Sequence, residues 1–200
     1  MIATLGPTFL RPRFLVADVV RALTLVSVVV ATVGWGGTAF PVMALSLLGV
    51  VVPRMLGLRP AFDVLVCVLV LVAGWSSVLE WYTSVFLWDK FFHVVLTGLL
   101  AAVLYVIGAD LRAVPAPSDE RRVVVAVLAL CAGLAIGAAW EMGEWLGHNF
   151  VDSAISVGYD DTIGDLAADG AGGLLAGFGL PWLAARRVVV RPTRGGAEGV

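Results

Sequence analysis

The chain has 200 residues, of which 60% are hydrophobic and 14% are charged, and its formal net charge is −2. A soluble domain has closer to half apolar and a quarter charged residues, so this composition excludes an ordinary soluble protein. It carries no basic, aromatic-laced surface of the kind that binds nucleic acid. The sequence therefore predicts an integral protein of the lipid bilayer.

Six stretches are apolar over the roughly 20 helical residues that cross a hydrocarbon core. They are dominated by Leu, Val, Ala and Gly and lack the alternation of a membrane β-barrel. The fold class is therefore all-α, a polytopic membrane bundle of about six transmembrane helices that forms one domain over residues 14–189. In chain order, the spans are predicted near Phe14–Trp35, Thr38–Leu58, Phe62–Tyr82, Asp89–Ala109, Arg121–Leu146 and Asp161–Val189. In the first span, Asp18 and Arg21 lie three residues apart and can pair on one helix face.

Arginine indicates the orientation of the bundle. All twelve arginines fall on the side of the membrane that the two termini share. Positively charged loops stay in the cytoplasm, so both termini, as tails of residues 1–13 and 190–200, are expected there. The expected location is a plasma membrane of bacterial type. The arginines are Arg11, Arg13, Arg21, Arg54, Arg59, Arg112, Arg121, Arg122, Arg186, Arg187, Arg191 and Arg194.

Nine acidic residues in and around the later spans fall at the opposite end, together with the only lysine and both histidines. A carboxylate inside a membrane is unfavourable, so it is usually paired, faces a cavity or serves a function. We therefore expect one polar site on the extracytoplasmic side. Its residues are Glu80, Asp89, Lys90, His93, Glu141, Glu144, His148, Asp152, Asp160, Asp161, Asp165 and Asp169.

The spacing in the fourth and fifth spans places polar side chains on common faces. Asp89 and His93 lie four residues apart at the start of span four. Glu141, Glu144 and His148 are spaced i, i+3, i+7 and share one stripe of span five. Two carboxylates and an imidazole on one stripe can bind a hard or borderline metal ion. The alternatives are a capped helix for Asp89 and solvated, interfacial positions for Glu144 and His148.

The sixth span begins with an acidic ridge. Asp161, Asp165 and Asp169 repeat every four residues, so the ridge descends about 12 Å into the bundle at 1.5 Å per residue. A charge run of this kind is usually a solvated face. Here the sequence continues directly into an apolar segment, which favours a functional role for Asp165 and Asp169.

Small residues indicate which helix the ridge faces. Gly133 and Gly137 form one G-x-x-x-G in span five, and Gly173 and Gly177 form another in span six. Small faces let membrane helices pack closely, so these two spans are expected to be neighbours. The glutamates of span five would then face the ridge. Five or six carboxylates cannot share that space without positive charge, so we expect Lys90, protons or a divalent metal ion among them.

The acidic series resembles a known family. Asp89-Lys90-x-x-His93, Glu141-x-x-Glu144 and Tyr159-Asp160-Asp161-x-x-x-Asp165-x-x-x-Asp169-Gly170 are similar to motifs of the VanZ-like membrane proteins, and more similar still to those of a related group of uncharacterised bacterial inner-membrane proteins. The resemblance covers roughly residues 80–177. Glu144 stands where VanZ-like proteins carry Gln, and Asp169 where they carry Asn. The resemblance implies a shared polar site rather than one particular chemistry.

Three classes of function follow from these patterns. The first is a metal-dependent membrane enzyme acting on a lipid or polyprenyl-linked headgroup, because a bound metal can activate water or polarise a phosphoryl oxygen. The second is an ion- or proton-coupled transporter, and the third is a noncatalytic structural or partner-binding protein.

The enzyme hypothesis assigns a role to each candidate residue. Glu144 would act as general base and Lys90 would hold phosphate. Tryptophans near the outer end would form an aromatic mouth for the substrate, although an interfacial aromatic belt also explains them. The predicted substrate-binding residues are Trp88, Trp140, Trp145 and His148. The predicted metal ligands are Asp89, His93, Glu141, Asp161, Asp165 and Asp169.

Overall fold

The computed structural model describes residues 16–153 and 155–184, and it contains only helices, turns and loops over those residues. The all-α prediction is confirmed. The predicted tails 1–13 and 190–200 lie outside the described residues, as do both outer ends of the predicted domain. In chain order the elements are α1 (Val16–Trp35), α2 (Ala39–Leu56), α3 (Pro60–Val78), α4 (Trp81–Ser84), α5 (Trp88–Phe92), a π-helical turn (His93–Thr97), α6 (Gly98–Asp110), α7 (Arg122–Phe150) and α8 (Tyr159–Leu183).

Five of the described helices are long and apolar enough to cross a membrane. They are α1, α2, α3, α7 and the helix Trp88–Asp110, which α5, the π-helical turn and α6 form together. The remaining long helix, α8, has 25 residues, but it starts with aspartates and is rich in glycine. It lies along α7 and also packs against α6 and the π-helical turn. The predicted bundle of about six helices thus consists of five strongly apolar helices and one acidic, glycine-rich helix.

The turns between the first helices have local causes. Gly57 ends α2 in the left-handed conformation, with φ 62°, and its N–H donates to the Arg54 carbonyl oxygen. Pro60 begins α3, where a missing N–H has no helical partner to lose. The third span ends at Val78 rather than at the predicted Tyr82, because the backbone at Glu80 turns left-handed with φ 58°.

Close contact between α7 and α8 depends on their glycines. A Cβ atom added at Gly133 would lie 2.6 Å from the Asp169 carbonyl oxygen, and one at Gly173 would lie 3.1 Å from the Leu130 Cα atom. The later residue of α7, Gly133, contacts the earlier residue of α8, Asp169, while Leu130 contacts Gly173. The two helices are therefore antiparallel. The prediction that spans five and six are neighbours through small residues is confirmed.

An apolar core joins the two halves of the bundle. It includes Phe62 and Val66 of α3, Leu99 and Val103 of α6, and Leu180 of α8, all nearly or completely buried. Large apolar side chains elsewhere are exposed on the outer surface, where lipid chains would contact them. The packing holds the start of α5 and the start of α8 at the same end of the bundle.

Candidate functional site

Lys90 connects α5 to the acidic ridge of α8. Its Nζ atom lies 2.6 Å from Asp161 Oδ1, 2.6 Å from Asp165 Oδ1 and 3.3 Å from Asp89 Oδ2. The four side chains differ in exposure, since Asp161 is half-exposed and Asp165 is buried. Lys90 therefore neutralises part of the ridge, as the sequence led us to expect.

His93 lies one turn deeper and contacts three aspartates. Its Nδ1 atom is 3.0 Å from Asp169 Oδ1, within hydrogen-bond distance. An ionised carboxylate can only accept, so Nδ1 donates, and a neutral ring then carries its acceptor lone pair on Nε2. That Nε2 atom lies 3.5 Å from Asp165 Oδ1 and 3.6 Å from Asp89 Oδ1. One nitrogen is thus held by Asp169, and the other faces two carboxylate oxygens.

Asp89, His93 and Asp165 can together hold a metal ion. Each offers one ligand atom, and these atoms lie within 4.8 Å of one another. Ligands about 2.0–2.1 Å from a tetrahedral zinc ion stand about 3.3 Å apart, close to the two Nε2–oxygen distances above. A metal-binding histidine usually donates its other N–H to a carboxylate or carbonyl, which is the position of Asp169. The donor set therefore fits a divalent cation, with Asp169 as the residue that orients the imidazole.

Two carboxylate oxygens of the site are buried and accept no hydrogen bond from the described residues. They are Asp169 Oδ2 and Glu141 Oε1. Asp169 as a whole is 0% exposed, so bulk water cannot donate a hydrogen bond to its second oxygen. An unpaired buried carboxylate oxygen is strongly unfavourable. The site is therefore short of positive charge or donors at its deep end.

The two glutamates of α7 are held by different partners. Thr162 of α8 donates through Oγ1 to Glu141 Oε2 at 2.6 Å. Trp140 donates through Nε1 to Glu144 Oε1 at 2.9 Å, within the same helix. Glu141 is thus tied across the helix interface, while Glu144 stays at the edge of the cluster.

The predicted substrate-binding residues occupy separate positions at this end. Trp88 donates to Ser76 Oγ at 2.9 Å and packs among other aromatic rings, 5.2 Å from Phe92 between centroids. Trp140 and Trp145 are exposed. His148 is bonded through Nδ1 to the Ile155 carbonyl oxygen, 2.7 Å away, in the loop that precedes α8. These four residues surround the ionic cluster rather than joining it, and their role in binding stays a prediction.

The spacing did not indicate the π-helical turn or the glycines that accommodate it. The turn covers His93–Thr97 and begins at the histidine itself. A Cβ atom at Gly172 would lie 2.9 Å from the Val94 carbonyl carbon, and one at Gly98 would lie 2.6 Å from the Gly172 carbonyl oxygen. Wide turns of this type occur often at functional sites. Glycine was the available signal, because Gly172 stands beside Gly170 and Gly173 in a glycine-rich part of span six.

A second polar cluster lies at the opposite end of the bundle. The predicted pair of Asp18 and Arg21 is confirmed, with Arg21 Nη1 2.9 Å from Asp18 Oδ1. Arg21 also pairs with the buried Asp63 of α3 and donates to the Val50 carbonyl oxygen at 2.9 Å. Arg54 lies 3.3 Å from Asp18 Oδ2. The sequence did not predict the roles of Asp63 and Arg54, whose partners are far away along the chain.

Comparison with known proteins gives a match at the level of a family model. No curated protein and no solved structure matches this chain. A family model with the description "Predicted membrane protein (DUF2238)" matches residues 12–186. That range contains every described helix and all the residues of both polar clusters. The chain therefore belongs to this family of predicted membrane proteins, DUF2238.

Proposed function

We propose that the ionic cluster is a divalent-metal site and that the protein uses it for chemistry on a lipid or polyprenyl-linked headgroup. The observation that carries this proposal is the arrangement of His93. Asp169 holds Nδ1 at 3.0 Å, while Nε2 faces the oxygens of Asp89 and Asp165 at 3.6 and 3.5 Å. A resemblance of the acidic series to VanZ-like proteins is consistent with a shared site and stays a prediction.

The charge of the cluster supports a bound cation. Lys90 is the one permanently charged cation among its described residues, and two carboxylate oxygens have no donor among those residues. The cluster at the other end is different, since among the described residues Arg21 and Arg54 pair with its two aspartates, Asp18 and Asp63. The acidic members of the unbalanced cluster are Asp89, Glu141, Glu144, Asp161, Asp165 and Asp169.

The proposed reaction is hydrolysis at phosphorus. A bound divalent ion would supply Lewis acidity toward a phosphoryl oxygen. Glu144, at the edge of the cluster, takes a proton from the attacking water. The water oxygen bonds to phosphorus as the bond to the leaving oxygen of the lipid breaks. Lys90 holds a phosphate oxygen at the exposed end, and the tryptophans contact the apolar part of the substrate.

The arginine distribution supports an outward-facing site. Positively charged segments remain in the cytoplasm, and every arginine belongs to the termini or to the end of the bundle opposite the acidic cluster. We propose that the site opens at the outer leaflet of a bacterial plasma membrane. A headgroup would reach it past Trp140 and Trp145, which are 44% and 54% exposed.

Metal content tests the site directly. The protein is purified in detergent and its bound metals are measured by mass spectrometry, together with Asp165→Asn, His93→Gln and the control Asp63→Asn. We expect about one divalent ion per chain in the wild type and in the control, and loss of the ion in the two site variants. A wild-type protein without stoichiometric metal would remove the proposal.

Turnover tests the chemistry. Phosphate release is followed from vesicles of bacterial polar lipids with added polyprenyl diphosphate. We expect release that requires the metal and is lost in Glu144→Gln, while that variant keeps its metal. Metal binding without release from any vesicle would leave the metal site standing and reject the hydrolytic role.

Transport is the second candidate, favoured by the depth of Asp169, which is completely buried. An ion or proton pathway needs an ionisable group of this kind inside the bundle. Reconstituted liposomes would then show cation or proton flux that Asp169→Asn abolishes. A structural role predicts neither flux nor turnover, and a loss of stability as the only effect of the site variants.

A further inference from the structure

The Lys90 ammonium group lies against two of the proposed metal ligands. Its Nζ atom is 2.6 Å from Asp165 Oδ1 and 3.3 Å from Asp89 Oδ2. The same Asp165 oxygen is 3.5 Å from His93 Nε2. A metal ion facing that nitrogen and that oxygen would stand close to the ammonium group. Two positive centres at one carboxylate oxygen repel each other.

We propose that Lys90 is a tethered competitor for the cation site and makes the site selective for divalent over monovalent ions. This inference rests on the proposed metal site. Exchanging the ammonium group for Na⁺ or K⁺ leaves the charge of the site unchanged. A divalent ion adds one positive charge to an excess of carboxylates, so it alone gains Coulomb energy from the exchange.

Asp161 provides the position to which Lys90 is released. Lys90 Nζ already lies 2.6 Å from Asp161 Oδ1, and the Asp161 side chain is 50% exposed, against 3% for Asp165. The stem of Lys90 passes over Gly164, where an added Cβ atom would lie 3.3 Å from Lys90 Cε. A short rotation of the flexible stem therefore exchanges a buried partner for an exposed one without losing the ion pair.

The ion pairs of Lys90 do not extend to the deepest carboxylate of the cluster. Lys90 reaches Asp161, Asp165 and Asp89, but no ion pair joins it to Asp169. One oxygen of Asp169 bonds to His93 Nδ1, and the other, Oδ2, lies against Gly137 of α7. The competition between Lys90 and a cation therefore concerns the oxygens of Asp165 and Asp89, which face His93 Nε2.

The test measures Mn²⁺ binding to the detergent-purified full chain by the electron paramagnetic resonance signal of free Mn²⁺, at one fixed pH. The proteins are the wild type, Lys90→Gln, Lys90→Arg, Asp161→Asn and the double variant. We expect Lys90→Gln to bind Mn²⁺ at least about fivefold more tightly, the lower end of usual coupling between sites. Added Na⁺ should compete in Lys90→Gln and have little effect in the wild type.

Asp161 gives the sharper part of the experiment. If it receives the released lysine, Asp161→Asn weakens Mn²⁺ binding in the wild-type background and has no effect in the Lys90→Gln background. A direct ligand would instead weaken binding in both backgrounds, as a double-mutant cycle resolves. Lys90→Arg keeps the charge, so it should bind no more tightly than the wild type and controls for loss of folding.

The possible outcomes separate the competitor role of Lys90, the release position at Asp161 and the metal site itself. Wild-type binding that is unchanged or weaker in Lys90→Gln overturns the competitor role and leaves the metal site intact. A loss in both backgrounds for Asp161→Asn overturns the release position and makes Asp161 a ligand. Absence of Mn²⁺ binding in all five proteins overturns the metal site and this inference together. If Lys90→Gln fails to fold, tighter binding by Asp161→Asn or Lys90→Arg still contradicts the competitor role.

Discussion

Gly137 gives the most direct test of the deep end of the site. A Cβ atom at this position would lie 2.6 Å from Asp169 Cγ and 3.0 Å from Asp169 Cβ, well inside normal contact. Asp169 cannot retreat, because its own carbonyl oxygen is close to Gly133. Gly137→Ala must therefore displace the carboxylate from the position in which it bonds to His93 Nδ1. Overpacking costs about 1–3 kcal/mol, and a lost hydrogen bond to a charged group costs about 1.5–3 kcal/mol.

We expect Gly137→Ala to lower the free energy of unfolding by about 3 kcal/mol and to weaken metal binding, because the imidazole loses its orienting partner. Thermal unfolding in detergent and the Mn²⁺ signal measure the two effects. Gly143→Ala is the matched control on the same helix, since nothing lies within 4 Å of its added Cβ atom. Because alanine has a higher helix propensity than glycine, the control variant should be as stable as the wild type or slightly more stable. Equal stability and equal metal binding in the two variants would refute the proposed role of Asp169.

Three further changes test other parts of the bundle. Asp63→Asn removes the buried carboxylate that pairs with the half-buried Arg21, so the unfolding free energy should fall by about 3 kcal/mol while metal binding is retained; loss of metal would contradict the separation of the two clusters. Gly172→Ala presses on the Val94 carbonyl group, and we expect about 1–3 kcal/mol of destabilisation, measured by thermal unfolding; an unchanged midpoint would rule out that close contact. Burial raises the pKa of the Tyr82 hydroxyl above its ordinary value of about 10, so its ionisation opposes folding in alkaline solution. Stability should therefore fall as the pH rises above about 10, and less steeply in Tyr82→Phe, whereas identical alkaline profiles would show that the hydroxyl is solvated.

The sequence predicted the helices, and the gathering of polar side chains at one end of them, better than it predicted individual contacts. Hydropathy identifies spans because a membrane helix must be apolar along its whole length. The position of Asp161, Asp165 and Asp169 follows from helical periodicity alone. Which of the carboxylates Lys90 contacts depends on how closely α5 and α8 approach each other. The packing of the whole bundle determines this distance, and the residue pattern of a single helix does not predict it.

The missed contacts were long-range ones. Asp63 pairs with Arg21 across 42 positions of sequence, and a single aspartate near the start of an apolar span gives no sign of its partner. The π-helical turn at His93 likewise has no local signature. It is accommodated by Gly172, which lies on another helix. Periodicity describes one helix at a time, so it cannot reveal features that two helices make jointly.

The glycines of α7 and α8 are part of the site as much as its charged residues are. Gly133 brings the backbone of α8 close to α7, and Gly137 leaves the space that the Asp169 carboxylate occupies. Because that carboxylate is held there, it can bond to His93 Nδ1 at 3.0 Å. This bond turns Nε2 toward Asp89 and Asp165. Small residues therefore do more than allow close packing, since they determine which nitrogen of the histidine bonds to Asp169 and which faces Asp89 and Asp165.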